Sequence, residues 1–361
     1  MWMARAYGFY SGAGFDSEKY FDYFKVFSSR IAWAPAIRLV FMNSAAVLQK
    51  VSDVCRRKHL SYATEKSYLG WIQSYIGMLA ELPAGWSSEE KVSAFLTREA
   101  KRGVAAATQS QALNAVVFLY GQVLELPLEK VDALRVRRPA MIRTALSLEE
   151  TRALLGAMED YAGYPTRLIV RLLYGCGLRV TEPLELRVKD VDVVAGHLVV
   201  RQAKGNKDRM VGLPDCLRGE MAAQLRVARA VSAGDAAAGL PVALPTLIGT
   251  KYPKAQFEAG WAWVFPMERP CAHPRTGERV RWRMHEVNVQ RAVRRAAARA
   301  GLEVKVTPHV LRHTYATHAH GAGAAARDLQ AVLGHGKLET TMRYLEARPA
   351  GVQSPLDALE G

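Results

Sequence analysis

A mostly α-helical chain with one small β-sheet (α+β), divided into two domains, is what this sequence predicts. Three observations predict it. Apolar residues recur at helical spacing along most of the 361 residues, with capping signals ahead of several runs. One stretch, residues 197–213, alternates as strands do around a polar turn. A basic stretch with a proline and no apolar period, residues 137–146, separates two helical regions. The length suffices for two buried cores.

Residues 1–50 are rich in Phe and Tyr (Phe9, Tyr10, Phe15, Tyr20, Phe21) without a clean period. They read as an N-terminal extension, with Met42 nearer a usual start. Residues 51–136 read as a domain of four helices. The first, Tyr62 to Leu82, carries Tyr68, Leu69, Ile72, Ile76 and Leu79 at helical spacing. Ser87 with Glu90 is a capping box for the second, through Val92, Phe95 and Leu96. The third, Thr108 to Leu124, turns Leu113, Val116, Val117, Tyr120 and Leu124 inward, and a short fourth lies near Leu128 to Leu134. The linker Arg135-Val-Arg-Arg-Pro139-Ala-Met-Ile-Arg143 is charged, so it tends to stay extended. Arg138 and Arg143 could follow a phosphate backbone.

The second domain, residues 147–361, opens on a capping box at Ser147 and Glu150. His197 to Gln202 and Arg209 to Leu213 form a hairpin signature. Residues 231–260 are rich in Ala, Gly and Pro and read as loop. Residues 284–301 are an arginine-rich helix, and the helices after it hold most of the chemistry.

Composition narrows the function. A net charge of +15 points to a polyanion, with nucleic acid the leading partner. The four cysteines (Cys55, Cys176, Cys216, Cys271) are far apart and form neither a disulfide framework nor a zinc site. No stretch reaches the length of an apolar membrane span, and no leader peptide is evident, so no membrane partner and a cytoplasmic location are expected.

The residues for one chemistry lie in the second domain. Cleaving a phosphodiester without a metal requires fixed positive charge around the phosphate, and guanidinium grips it through parallel hydrogen bonds. Arg179, in Gly175-Cys-Gly-Leu-Arg-Val-Thr-Glu182, reads by itself as a surface arginine paired with Glu182. His309 and Arg312, three apart, share a helix face behind Pro308. His309 and His313 also have zinc-helix spacing, but position 310 is valine where a zinc protease carries its base. Lys204, in Ala203-Lys-Gly-Asn-Lys-Asp-Arg209, sits at the hairpin tip, where a lysine could protonate a leaving oxygen. Lys207 competes with it, and plain turn chemistry explains Gly-Asn as well. His335 closes Leu333-Gly334-His335. Tyr344 is either a nucleophile, activated by neighbouring cations with His309 or His335 as proton acceptor, or an aromatic packing residue.

Taken together, Arg179, Lys204, His309-x-x-Arg312, Leu333-Gly334-His335 and Tyr344 resemble the tyrosine recombinases of the phage integrase family. The resemblance implies six catalytic residues at those positions. Tyr344 would form a 3′-phosphotyrosyl link and free a 5′-hydroxyl, with no metal, cofactor or ATP. It also implies a helical core-binding domain and a catalytic domain forming a C-shaped clamp on DNA. A homotetramer would be joined by C-terminal tails, here through Val352 and Leu356.

Within that family the chain, over about residues 55–357, looks like an integron integrase. Thr64-Glu-Lys-Ser-Tyr68-Leu-Gly-Trp-Ile72 and Leu186-Arg-Val-Lys-Asp-Val-Asp192 carry the likeness. So does an insertion near residues 240–266, with Lys251-Tyr-Pro-Lys254 and Trp261-Ala-Trp-Val-Phe-Pro266. The resemblance implies integration and excision of gene cassettes, with attachment sites taken as duplex and as folded single strands bearing extrahelical bases. Trp261 or Trp263 could stack such a base, unless both are core. His273 and His285 are further DNA-contact candidates. Ala322 to Arg327 and His318 to His320 depart from the family pattern. The alternatives are a generic recombinase on duplex sites, a type IB topoisomerase, and a DNA-binding relative without catalysis.

Overall fold

The structure is a computed structural model and describes residues 44–129, 145–203 and 207–334. The expected helix near Leu128 to Leu134, the linker arginines Arg138 and Arg143, and Lys204, His335 and Tyr344 lie wholly or mostly outside those residues. The chain divides into two compact units at residues 140 and 141. Both are mainly helical, and the sheets are small and antiparallel.

The first unit comprises α1 (Ser44–Arg57), α2 (Tyr62–Leu79), α3 (Ser88–Lys101) and α4 (Ala106–Phe118), the last continuing as a π-turn over Leu119–Val123. Ser61 caps α2 by accepting from the Thr64 amide at 3.1 Å. The capping box of α3 is formed, with Ser87 N–H donating to Glu90 at 2.6 Å and Glu90 N–H to Ser87 at 3.1 Å. Ile72, Tyr75, Phe95, Leu113, Val116 and Tyr120 fill the core, and the Tyr75 and Tyr120 hydroxyls meet at 2.9 Å inside it. Helix α1 begins ahead of the residue-51 boundary that the sequence suggested. Its Val47 and Val51 are fully buried in the same core, so residues 44–50 pack with the helical unit.

The second unit begins with α5 (Leu148–Gly156), whose Ser147–Glu150 capping box is formed. It continues through α6 (Thr166–Gly175) and the short α7 (Thr181–Leu184). The strands β1 (Val191–Asp192), β2 (His197–Ala203) and β3 (Lys207–Gly212) form an antiparallel sheet in that order, with Leu198 opposite Val211 and Val200 opposite Arg209. Next come α8 (Asp215–Ala237), α9 (Thr246–Lys251), the paired β4 (Cys271–Ala272) and β5 (Arg279–Val280), and α10 (Glu286–Arg299). Helices α11 (Pro308–Gly321) and α12 (Ala326–Leu333) complete the described part. Leu146, expected in the linker, is instead buried in this unit's core.

Residues 231–260 are not a loop throughout. Residues 231–237 are the last two turns of α8, because alanine is the best helix former and keeps the run helical past Gly234. Leu217, Met221, Leu225 and Ala228 form the buried stripe that anchors it.

Candidate active site

The site is organised by one buried carboxylate. Helix α6 ends at Gly175, and Gly177 turns the chain with φ +61°, a conformation open to glycine without strain. Tyr315 of α11 closes over that turn, and a Cβ on Gly177 would lie 2.4 Å from its ring. Released by this turn, the chain presents Arg179 and then enters α7, which carries Glu182.

Glu182 is 7% exposed and lies among three arginines. Arg179 donates its amide to one oxygen at 2.8 Å and Nη1 to the other at 2.7 Å. Arg209 of β3 donates Nη1 and Nη2 to the two oxygens at 3.0 and 2.6 Å. Arg312 of α11 stands with Nη1 3.7 Å away. Burial alone would raise the Glu182 carboxyl. The hydrogen bonds and charge of Arg209, then the Arg179 amide and the Arg312 charge, outweigh burial and hold it below its ordinary value. The cluster therefore has three fixed positive charges against one negative, a surplus suited to a phosphodiester.

The carbonyl ends of nearby elements complete the cage. Arg312 donates Nη1 to Gly177 O at 2.7 Å and Nη2 to Leu333 O. Arg179 reaches Gly334 O at 3.4 Å, and Arg209 Nε reaches Val332 O at 2.7 Å. Helix α12 ends at Gly334 in the left-handed conformation. Its last carbonyls thus face the three guanidiniums, one residue ahead of His335.

The structure brings Arg179 and Arg312 together, as the sequence reading requires. His309 occupies the exposed first turn of α11, capped by Thr307, while Arg312 is turned inward and is 2% exposed. The two share helix spacing but not equal access to solvent. Arg209 was missed by the sequence reading. The available signal was an arginine on a strand of the same hairpin as Lys204, which marks position but not its distant partners. The Lys207 backbone opens β3, and its side chain lies outside the described set.

The insertion corrects one expectation. Trp263 is 7% exposed, with the Arg187 guanidinium 3.1 Å from its ring centroid and Trp282 packed alongside. It presents no open face to a nucleobase. Arg187 is itself buried and donates to Trp261 O at 2.7 Å and Ala243 O at 2.8 Å. Burial, opposed by Asp190, pushes its guanidinium down to about 9. Trp261 is half-buried, with Lys189 Nζ 2.8 Å from its ring centroid. His273 sits in the β4–β5 turn, where its Nδ1 accepts from the Arg275 and Thr276 amides and burial lowers its affinity for a proton. His285 caps α10 by accepting from the Val287 amide at 3.2 Å. The arginines of residues 281–299 also divide. Arg281 is bound to Asp235 and to two carbonyls, Arg283 to Glu185 and Arg299 to Glu159, whereas Arg291 and Arg294 are exposed on α10.

Comparison with known proteins points the same way. Residues 144–350 match the family model described as Phage integrase family, and residues 47–130 match Phage integrase, N-terminal SAM-like domain. A protein named Integrase/recombinase from Escherichia coli is 38% identical over 324 residues, 88% of this chain and 95% of the relative. A protein named Tyrosine recombinase from Thermosipho africanus is 29% identical over 69% of this chain and 74% of that one. Among solved structures, the XerH site-specific recombinase bound to palindromic difH substrate shares the fold, with TM-score 0.58 at 18% identity, covering 88% of this chain and 85% of that one.

Proposed function

This chain belongs to the phage integrase family of tyrosine recombinases, enzymes of site-specific DNA recombination, and from that premise we propose that it integrates and excises gene cassettes, taking folded single strands as well as duplex as substrate. Tyr344 Oη, giving its proton to His309 or His335, attacks the scissile phosphorus, the P–O5′ bond breaks, and a 3′-phosphotyrosyl link and a 5′-hydroxyl form. Arg179 and Arg312, with His309 and His335, neutralise the charge that grows on the non-bridging oxygens. Lys204 gives the departing 5′-oxygen its proton. Attack by a 5′-hydroxyl of another strand reverses the step and completes the exchange.

The observation that carries this reading is the convergence of Arg179 and Arg312 on Glu182 beside the carbonyl end of α12, with His335 and Tyr344 next along the chain. The cassette-specific part rests on the insertion. Its exposed aromatic surface is Tyr252 and Phe257, 53% and 40% exposed, rather than Trp263. Such rings, with half-buried Trp261, can stack an extrahelical base. A recombinase acting on duplex alone is the second reading, favoured by the coverage of Trp263.

Covalent trapping tests both. A nicked DNA hairpin with extrahelical bases and the matching nicked duplex, both drawn from candidate attachment sequences flanking the gene, are incubated with wild type and Tyr344→Phe. An adduct on the hairpin that vanishes in the variant supports the cassette reading. An adduct on duplex alone replaces it with the generic one. Cleavage surviving in Tyr344→Phe removes the assigned nucleophile.

A further inference from the structure

Arg209 is nearly buried, its side chain 9% exposed, and it joins its own strand to two helices. It stems from β3, its fork fills both oxygens of Glu182 in α7, and its Nε reaches Val332 O in α12. Its Cδ and guanidinium lie against Gly334, where a Cβ would stand 3.3 Å from them. A planar fork on a carboxylate is a geometry lysine does not reproduce.

The arrangement bears on charge as well as on packing. Glu182 offers two oxygens to three guanidiniums. Arg179 and Arg209 each donate to both oxygens and together fill their four acceptor sites, so Arg312 is left 3.7 Å from the nearer one, beyond hydrogen-bond range, and is aimed by the carbonyls of Gly177 and Leu333. Without Arg209 two acceptor sites of the buried carboxylate would stand open, and Arg312 would close on them by moving about 1 Å, a displacement that costs roughly a hundredfold in rate when it misplaces a catalytic group.

We propose that Arg209 is a positioning residue for strand cleavage: by occupying the Glu182 carboxylate it keeps Arg179 and Arg312 aimed at, and electrically available to, the scissile phosphate. This rests on the reading above that those two arginines bind that phosphate.

The test uses the full-length protein and the nicked oligonucleotide on which the Tyr344 adduct forms. That substrate is made with either an ordinary phosphate or a methylphosphonate at the scissile position. Methylphosphonate lacks the negative non-bridging oxygen, so it depends little on arginine charge. Arg209→Ala should slow adduct formation on phosphate about a hundredfold and on methylphosphonate by less than about tenfold, with gel-shift affinity preserved. Arg209→Lys, which keeps the charge and the stem against Gly334, should fall between, and it carries the comparison if the alanine variant does not fold. Equal losses on the two linkages, or no loss on phosphate, overturn the proposal, since a merely structural residue would not distinguish them. Arg179→Ala and Arg312→Ala are run alongside. If their losses shrink on methylphosphonate and those of Arg209 do not, only this inference fails. If theirs do not shrink either, the assignment of the two arginines fails and takes this inference with it.

Discussion

Tyr315 lies directly over Gly177, so closely that a methyl group there would stand 2.4 Å from its ring. The turn that releases Arg179 and the helix that carries Arg312 are thus in contact through one side chain and one missing side chain. Gly177→Ala would add both left-handed backbone strain and an overpacked ring. A loss of about 2–4 kcal/mol is expected, read as a lowered denaturation midpoint, together with loss of cleavage. An unchanged midpoint would show that Tyr315 swings away at no cost.

Glu182 should govern acid sensitivity in the second unit. Its pKa is depressed in the folded chain relative to its ordinary 4.5. The stability it contributes is therefore fully present above 4.5 and is lost as pH falls through the lower folded value. Glu182→Gln leaves three guanidiniums without their carboxylate and should cost about 3–5 kcal/mol at neutral pH. The gap between variant and wild type should narrow on acidification. Urea unfolding followed from neutral pH down through the carboxylate range would refute this by showing a constant gap.

The two insertion tryptophans should behave oppositely. Trp263→Ala empties a buried site beneath Arg187 and should cost about 3–5 kcal/mol. Trp261→Ala removes a half-exposed ring and should leave thermal unfolding within about 1 kcal/mol of wild type. Equal destabilisation of both would make Trp261 a core residue too.

Arginines of α10 should separate from those that brace the fold. Arg291→Ala and Arg294→Ala should each reduce the salt dependence of DNA binding by about one unit of log–log slope if that face meets phosphate. Arg281→Ala should instead lower the unfolding midpoint, because it breaks the paired contact with Asp235. Fluorescence anisotropy across a salt series, with a melt of each variant, reads both quantities. A slope unaffected by Arg291→Ala and Arg294→Ala would place the DNA elsewhere.

What the sequence disclosed was what neighbours along the chain determine. Both capping boxes, at Ser87 and Ser147, and the 197–212 hairpin are short-range devices, and each stands where expected. Helix α1 was lost because Val47 and Val51 follow an apolar stretch from Ile31 that hides their period. The end of α8 was lost because alanine and glycine read as loop by composition. Arg209 could not be assigned because its partners Glu182 and Val332 lie 27 and 123 residues away. The tryptophans could not be sorted either, since only the fold decides which ring Arg187 covers.

Leu146 gives both of its backbone groups to one helix: its amide to Thr314 Oγ1 at 3.1 Å and its carbonyl to His318 Nε2 at 3.0 Å. That helix is α11, which bears His309 and Arg312. The polypeptide therefore enters the second unit already stitched to the element that carries two of the three described candidate catalytic side chains. Displacing Leu146 would break two hydrogen bonds on α11, at Thr314 and His318, within two turns of Arg312.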